Sequence, residues 1–310
     1  MPSGSVTLLE AAKAGDDTLK RGVVETIIQE SPILARLPMI TIEGNALKHM
    51  EESTLPTPEF RQVNSTYSRS FGADTEHFWG TTILGGEVFV DNYIVKTRGN
   101  LRDVKATQFQ KMAKAMALTF DENFINGDGT SNTFKGVKQL ISEGFGFEQE
   151  TATNGGPITL NQLDEAHDLL RTGTADAILC NRTHRRKITH LARDHSSHPL
   201  IDVGTDALGR KVTMYDGVEL NILGDDASGN QILAFDETQG ASHLTSSMYF
   251  VRYGTDENVC GRMGAGGSFE VRDFGEQEAA PGHMGRVEVY PGVCIFNKYS
   301  IARYKGITNA

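Results

Sequence analysis

Residues 101–137 read LRDVKATQFQKMAKAMALTFDENFINGDGTSNTFKGV. Phe109, Ala113, Met116 and Phe120 fall along one face at helical spacing, with Met112 and Phe124 adjoining. Lys105, Lys111 and Lys114 lie mostly outside that stripe. The spacing predicts a helix over residues 101–125. Asn126-Gly127-Asp128-Gly129 ends it, because all four residue types tolerate left-handed or turn backbone.

Toward the N-terminus, residues 1–38 read as an arm. Asp16 and Asp17 precede a helix in which Leu19, Val23 and Ile27 recur every four residues beside Val24 and Ile28, and Pro32 stops it. That stripe is too short to form a core alone, so it docks on this chain's body or on a neighbour's. From Met39 to Val95 the period drops toward two. Ile40 and Ile42 flank Thr41, Gly44-Asn45 supplies a turn, and Val88 and Val90 share a strand face. Gly85-Gly86 is expected to permit a bend. Between them, residues 52–76 are polar, with Pro56, Pro58 and Gly72 and no continuous apolar face. The whole reads as a long hairpin projecting from the body, and loops of this length without a core usually have a task. Trp79, the sole tryptophan, sits in it either as core or as an interface anchor. Candidate subunit contacts are Leu19, Val23 and Ile27 of the arm, and Phe60, Arg61 and Trp79 of the hairpin.

Toward the C-terminus, residues 157–260 alternate helices and strands. Thr159 and Gln162 form a capping box ahead of Leu163, Ala166 and Leu170, with Gly173 closing that helix. Ala177–Cys180 reads as a buried strand, and Thr183 as the cap of a helix through Ile188, Leu191 and Ala192. Strands are expected at Val212–Met214 and Val218–Ile222, hinged by Asp216-Gly217, and at Ile232–Phe235. The tail, 246–310, is strand-rich, at Met248–Val251, Phe269–Val271, Val287–Val289 and Val293–Phe296. The fold class is α+β.

Hydrophobic residues make up 38% of the 310 and charged residues 23%, which permits a packed core and argues against global disorder. The 33 glycines sit mostly in loop-like stretches, which favours turns and extended arms over a helical bundle. The formal charge of −10 and the lack of a basic stripe argue against tight nucleic-acid binding. Cys180, Cys260 and Cys294 are widely spaced and form no CxxC pair. No basic stretch with a following apolar core opens the chain, and no run of about 18 apolar residues occurs.

Catalytic motifs fail one by one. His184, His190, His195 and His198 cluster with Asp194, but His184 and His190 are six apart, which turns them roughly 120° from each other around a helix. No HExxH pair is present, so no metal is assigned. Gly264-Ala265-Gly266-Gly267 precedes a strand instead of a helix and lacks the dinucleotide spacing. The loop from Asn126 has Ser131 and Val137 where a calcium hand needs glycine and glutamate. No GxSxG elbow or phosphate loop exists. No catalytic residue and no cofactor is assigned.

With catalysis set aside, the segment order carries information. Phe124-Ile125-Asn126-Gly127-Asp128-Gly129 followed by Phe134-Lys135-Gly136-Val137 resembles the helix-end signature of tailed-phage major capsid proteins. Asp176-Ala177-Ile178-Leu179-Cys180-Asn181 with Arg186-Lys187-Ile188 resembles the same family's strand-then-helix unit. Ser247–Gly254 and Ala302-Arg303-Tyr304-Lys305-Gly306-Ile307 resemble its closing strands. The resemblance, spread from residue 124 to the end, implies a Hong Kong 97-like capsid fold, α+β. It implies an N-terminal arm (1–40), an extended β-hairpin loop with peripheral strands (41–90) and a peripheral domain with a long spine helix (91–156). An axial domain (157–260) and C-terminal strands returning to the peripheral domain (261–310) complete it.

The function so implied is a major capsid protein that self-assembles into hexamers and pentamers of an icosahedral shell. It would be made in the bacterial host cytoplasm and reside in the virion. Its partners would be copies of itself, with weak non-specific contact to packaged dsDNA and no membrane. Portal and decoration proteins are further expected partners. Scaffolding would be a separate protein or absent, since only residues 1–38 precede the first strand. Bends at Gly85-Gly86 and near Gly99 would adjust the subunit between hexamer and pentamer. Some members join subunits by a lysine–asparagine isopeptide bond; Lys48 and Asn297 or Asn309 occupy suitable regions, though no motif marks them. An encapsulin-like nanocompartment shell shares the fold and stands as the alternative. A metal-dependent hydrolase using the four histidines is the alternative from another class.

Overall fold

The computed structural model describes residues 18–98, 101–171, 174–194, 201–205, 211–264, 269–278 and 280–309. Helix α1 (Thr18–Glu30) leads to strands β1 (Met39–Thr41), β2 (Ala46–Thr54), β3 (Ala73–Gly80) and β4 (Leu84–Asp91). Helix α2 (Asn92–Arg98) precedes the long α3 (Leu101–Asn126), and α4 (Val137–Leu140) runs into a π-helical turn (Ile141–Phe145). Strand β5 (Phe147–Glu150), helix α5 (Leu160–Asp168), strand β6 (Ala177–Cys180) and helix α6 (Arg182–Asp194) follow. Next come β7 (Ile201–Thr205), β8 (Lys211–Tyr215), β9 (Val218–Ile222), β10 (Glu237–Gln239) and β11 (Ser242–Val251). The chain closes with β12 (Val259–Met263), β13 (Glu270–Glu276), β14 (Gly282–Val289), β15 (Pro291–Ile295) and β16 (Ile301–Thr308).

The expected stripe of α3 is its buried face, with Phe109, Ala113, Met116, Phe120 and Phe124 all inside. The turn after it closes on itself. Gly127 accepts from the Gly136 N–H at 2.8 Å, Asp128 bridges Lys135, and Gly129 takes φ +73°. Helix α1 answers the question its stripe left open. Val23, Val24 and Ile27 share one core with the α3 stripe, Lys114 reaches Glu30 at 3.0 Å, and Ser31 Oγ donates to buried Asp121 of α3. Leu34 and Leu37 are buried behind them, and Arg36 pairs with Glu219 of β9. The described part of the arm is therefore docked on its own protomer. Residues 1–17, with Asp16 and Asp17, and the Leu19 side chain lie outside the described residues.

The largest sheet has the order β5-β16-β11-β6-β9-β8-β7, with β10 on β11. Successive side chains of a strand point to opposite faces, and this sheet is buried on both. Ala177, Leu179, Tyr249 and Val251 face the core around α3, while Ile178, Cys180, Met248 and Phe250 face Leu163, Ala166 and Ile188. Two-sided burial explains why 177–180 reads as an unbroken apolar run. The Thr159–Gln162 capping box forms as expected, and Asp216 and Gly217 both take positive φ at the β8–β9 hinge. Three smaller sheets complete the fold: β1-β12-β15, β13-β14-β4 and the isolated pair β2-β3.

Within segment 261–310, β14 pairs with β4, and β16 pairs antiparallel with β11 and parallel with β5 inside the large sheet. Three expectations are corrected. Residues 232–235 are not a strand. Ile232 and Leu233 are buried, but their carbonyls accept from the side-chain amides of Asn126 (2.9 Å) and Asn181 (2.8 Å), which replaces ladder pairing. The cap of α6 is Asn181 and not Thr183, since its Oδ1 accepts from the His184 N–H at 2.8 Å. Gly85 and Gly86 make no bend, because β4 pairs with β14 in continuous register from Leu84 to Asp91. They are close-approach positions: a Cβ on Gly86 would meet Met112 Sδ at 2.5 Å, and one on Gly85 the Val287 carbonyl at 2.7 Å. Gly99 and Gly173 lie outside the described residues.

Burial pushes the Asp121 carboxyl well above its usual range, and the Ser31 hydroxyl offsets this only in part. The folded chain thus holds that proton more tightly than the unfolded chain, so this group's contribution to stability falls as pH rises above the ordinary carboxylate value. Asp121→Asn keeps an acceptor for Ser31 and removes the ionisation. It is expected to stabilise the protomer at pH 8 by about 1–3 kcal/mol and to flatten the stability loss between pH 5 and 8 in thermal scans.

Candidate assembly surface

The pair β2-β3 runs in antiparallel register from Ala46↔Gly80 to Thr54↔Ala73, and the chain then continues through an irregular tip, residues 55–72. The eighteen residues from Ala46 to Val63 reach at most about 58 Å. The tip is held by local polar bonds. Thr57 N–H donates to Ser70 Oγ at 2.9 Å, Ser68 Oγ donates to Glu59 at 3.2 Å, and Ser65 N–H closes a turn onto Gln62 O at 3.1 Å, with Asn64 at φ +69°. The Arg61 guanidinium lies 5.2 Å from the Tyr67 ring centroid and donates to Ser65 O at 3.2 Å.

These bonds give the tip a shape but no core. Leu55, Phe60, Val63, Tyr67, Phe71 and Phe78 are all more than 60% exposed, Phe60 completely. A second apolar group, Ile83, Phe89, Tyr93 and Ile94, stands in water along β4 and α2, on the side away from the buried Val88 and Val90. Covering a large apolar side chain stabilises by about 1.5–3 kcal/mol. A hairpin with six such groups leaves a large apolar surface in water.

The root is anchored by Trp79. It is 6% exposed, packs edge-on to Phe145 at 4.9 Å, and lies under the Arg262 guanidinium at 5.8 Å. Five of the six candidate contacts can be placed, while the Leu19 side chain lies outside the described residues. Phe60 and Arg61 are exposed at the tip, Trp79 fastens the root, and Val23 and Ile27 are fully buried in their own protomer. The physical reason is that α3 offers a complementary apolar stripe within the same chain. Lys48 Nζ lies 2.6 Å from Glu76, and Asn297 Oδ1 accepts from Tyr299 N–H at 2.9 Å as a cap, while Asn309 is exposed.

Sequence reasoning missed two clusters because their members are far apart in the chain. Cys260 and Cys294 are register partners on β12 and β15, with their sulfurs 2.8 Å apart. A cross-strand position cannot be read before the pairing is known. The hydrogen bond shared with Cys294 and then burial push the Cys260 thiol far up, and burial pushes Cys180 up to about 12. The second is a charged network: Arg303 bonds Glu148 and Glu237, each at 2.8 Å, and Lys138 reaches Glu237 at 2.7 Å. Burial raises Glu237, but Arg303, Lys138 and Ser247 override it and hold the carboxyl below its ordinary value.

His184 is buried beside the Phe235 ring at 5.4 Å, and burial, then Lys187, lower its pKa to about 3. It is a neutral core group. His195 and His198 lie outside the described residues, and among the described residues no group of three His, Cys, Asp or Glu could hold a metal ion. Among them, too, no helix is long and apolar enough to cross a membrane.

A docked arm, a spine helix, a two-faced mixed sheet and a projecting hairpin define the Hong Kong 97-like class of shell-building folds, and this chain has that fold. The encapsulin of Synechococcus elongatus PCC 7942 superposes with a TM-score of 0.66 at 14% identity, over 90% of this chain and 88% of that one. The Microbacterium phage Oxtober96 structure gives 0.60 at 16% identity, covering 90% of each chain. The capsid of the native GTA particle gives 0.58 at 12%, covering 90% of this chain and 91% of that one. No protein-family model matches the sequence, and no curated protein sequence matches it significantly.

With all three thiols buried and two of them raised, the native chain is expected to take up less than about a tenth of the thiol label that the unfolded chain takes up at pH 8. A fast-reacting equivalent in the native state would contradict this placement.

Proposed function

We propose that this chain is the major capsid protein of a tailed bacteriophage, assembling into hexamers and pentamers of an icosahedral shell around packaged DNA. The observation that carries the reading is the long hairpin with its apolar side chains in water, on a fold shared with capsid structures. A shell made from many modest contacts can correct errors while it assembles, and number then strengthens it. The hairpin supplies such contacts without asking the protomer core to reorganise. The chain acts as structure, not as a catalyst. Its net charge of −10 suits a wall along which DNA must slide, so contact with DNA is weak and salt-sensitive. Its place is the virion, after synthesis in the host cytoplasm, with portal, decoration and separate scaffolding proteins as further partners.

A nanocompartment shell is the second reading, favoured by the encapsulin superposition at a TM-score of 0.66. Expression without helper proteins separates the two under negative-stain microscopy. An encapsulin closes into small uniform particles, whereas a phage subunit gives capsomers or irregular shells. The hydrolase reading loses His184 to the core.

The double variant Phe60→Ser, Phe71→Ser tests the hairpin. Both side chains are exposed, so protomer stability should move by less than about 1 kcal/mol, while the assembled fraction falls at least about tenfold. Particles forming as readily as wild type would remove the hairpin from the assembly surface.

A further inference from the structure

We propose that the cavity beneath the hairpin root is a receptor for a carboxylate carried by a second copy of this chain, with Arg262 as its cation. The proposal rests on the shell-subunit reading above. The cavity, of about 430 Å³, lies between Trp79 and Thr82 of the hairpin root, Thr133 and Lys135 of the loop after α3, and Phe145. Arg262 also lines it and is 2% exposed. Its Nη2 donates to the Val293 carbonyl at 2.7 Å, but Nε and Nη1 have no acceptor. The indole N–H of Trp79, whose ring lies under that guanidinium, has none either. The cavity's own carboxylate, Glu143, is engaged by Lys135 at 2.7 and 2.9 Å and by Gln139 at 3.0 Å. Gly292 keeps the seat open, since a Cβ there would meet Nη2 at 2.7 Å.

The bland reading is a core arginine packed on a tryptophan. A methionine would fill that role without desolvating a charge, and an unpaired buried cation is among the costliest groups a fold can hold. Burial already draws the guanidinium's affinity for its proton down. Buried donor groups with no acceptor specify an acceptor, and the positive charge specifies an anionic one. A second copy fits better than a free ion for two reasons. The chain holds 40 carboxylates against 30 cationic side chains, and Phe78 stands exposed where it also lines the cavity. A docking subunit covers that ring while delivering the carboxylate; a free anion leaves it wet.

Trp79 is the sole tryptophan, so its fluorescence reports on the cavity in the unmodified full chain. Its emission maximum is expected to shift on assembly, when a carboxylate docks against the guanidinium that lies over the ring. Arg262→Met should melt at or above the wild-type temperature yet need about tenfold more protein to form particles, with Arg262→Lys intermediate. Wild-type particles alongside unimpaired Arg262→Met particles overturn the inference alone; a wild-type chain that stays monomeric at high concentration, giving neither capsomers nor shells, overturns the shell reading with it. Inorganic phosphate or acetate that raises the melting temperature of wild-type capsomers, but not of Arg262→Met, would assign the site to a free anion and defeat the second-copy claim. Should Arg262→Met fail to fold, the wild-type fluorescence comparison decides by itself: an emission maximum unchanged by assembly rejects the proposal.

Discussion

The hairpin of β2 and β3 cannot bury its own apolar side chains, and the organisation of the molecule follows from that constraint. A two-stranded ribbon has no second layer, so whatever its outer side chains gain must come from another surface. The tip answers with polar bonds between Thr57 and Ser70 and between Glu59 and Ser68 that hold its shape in water. The root answers with Trp79, wedged against Phe145 under Arg262. Shape at the tip and anchorage at the root make a lever whose apolar groups stay available.

The rest of the chain supplies a body stiff enough to carry that lever. The large sheet is packed on both faces, one against the α3 core and one against α5 and α6, so β6, β11 and β16 cannot slip register without exposing an apolar set. The arm joins this body through the Ser31–Asp121 bond and the Arg36–Glu219 pair, which link the segment after α1 to α3 and to β9. On the proposed shell reading, rigidity and projection serve the same end: a subunit that meets neighbours at a distance must not deform as it does so.

Buried charge is arranged in two contrasting ways. Around Glu237 every group has a partner: Arg303, Lys138 and Ser247 converge on one carboxylate. At Arg262 two donor nitrogens have none. The first pattern closes a structure, and the second leaves one of its contacts to be completed from outside. Both lie near the ends of segments that approach the large sheet or the hairpin root, where neighbouring strands determine what a side chain meets.

The sequence by itself determined the local elements. The 3.6-residue stripe of α3, the Thr159–Gln162 box and the Asp216-Gly217 hinge each depend on residues within one or two turns of each other, and each formed as its spacing required. A projection was legible too, from the long polar stretch with prolines, but its bounds were not. Since β1 pairs with β12 and β4 with β14, only β2 and β3 of residues 39–95 form the hairpin. Tertiary structure alone decided whatever depends on distant pairing. It placed β16 in the large sheet, set Cys294 against Cys260, and docked Val23 and Ile27 on α3 instead of leaving them for a neighbour. It also turned Ile232 and Leu233 from a strand into a buried turn, since Asn126 and Asn181 reached their carbonyls first. Propensity and periodicity act within a few residues, whereas burial and hydrogen-bond satisfaction are settled by whichever partner the fold brings within reach.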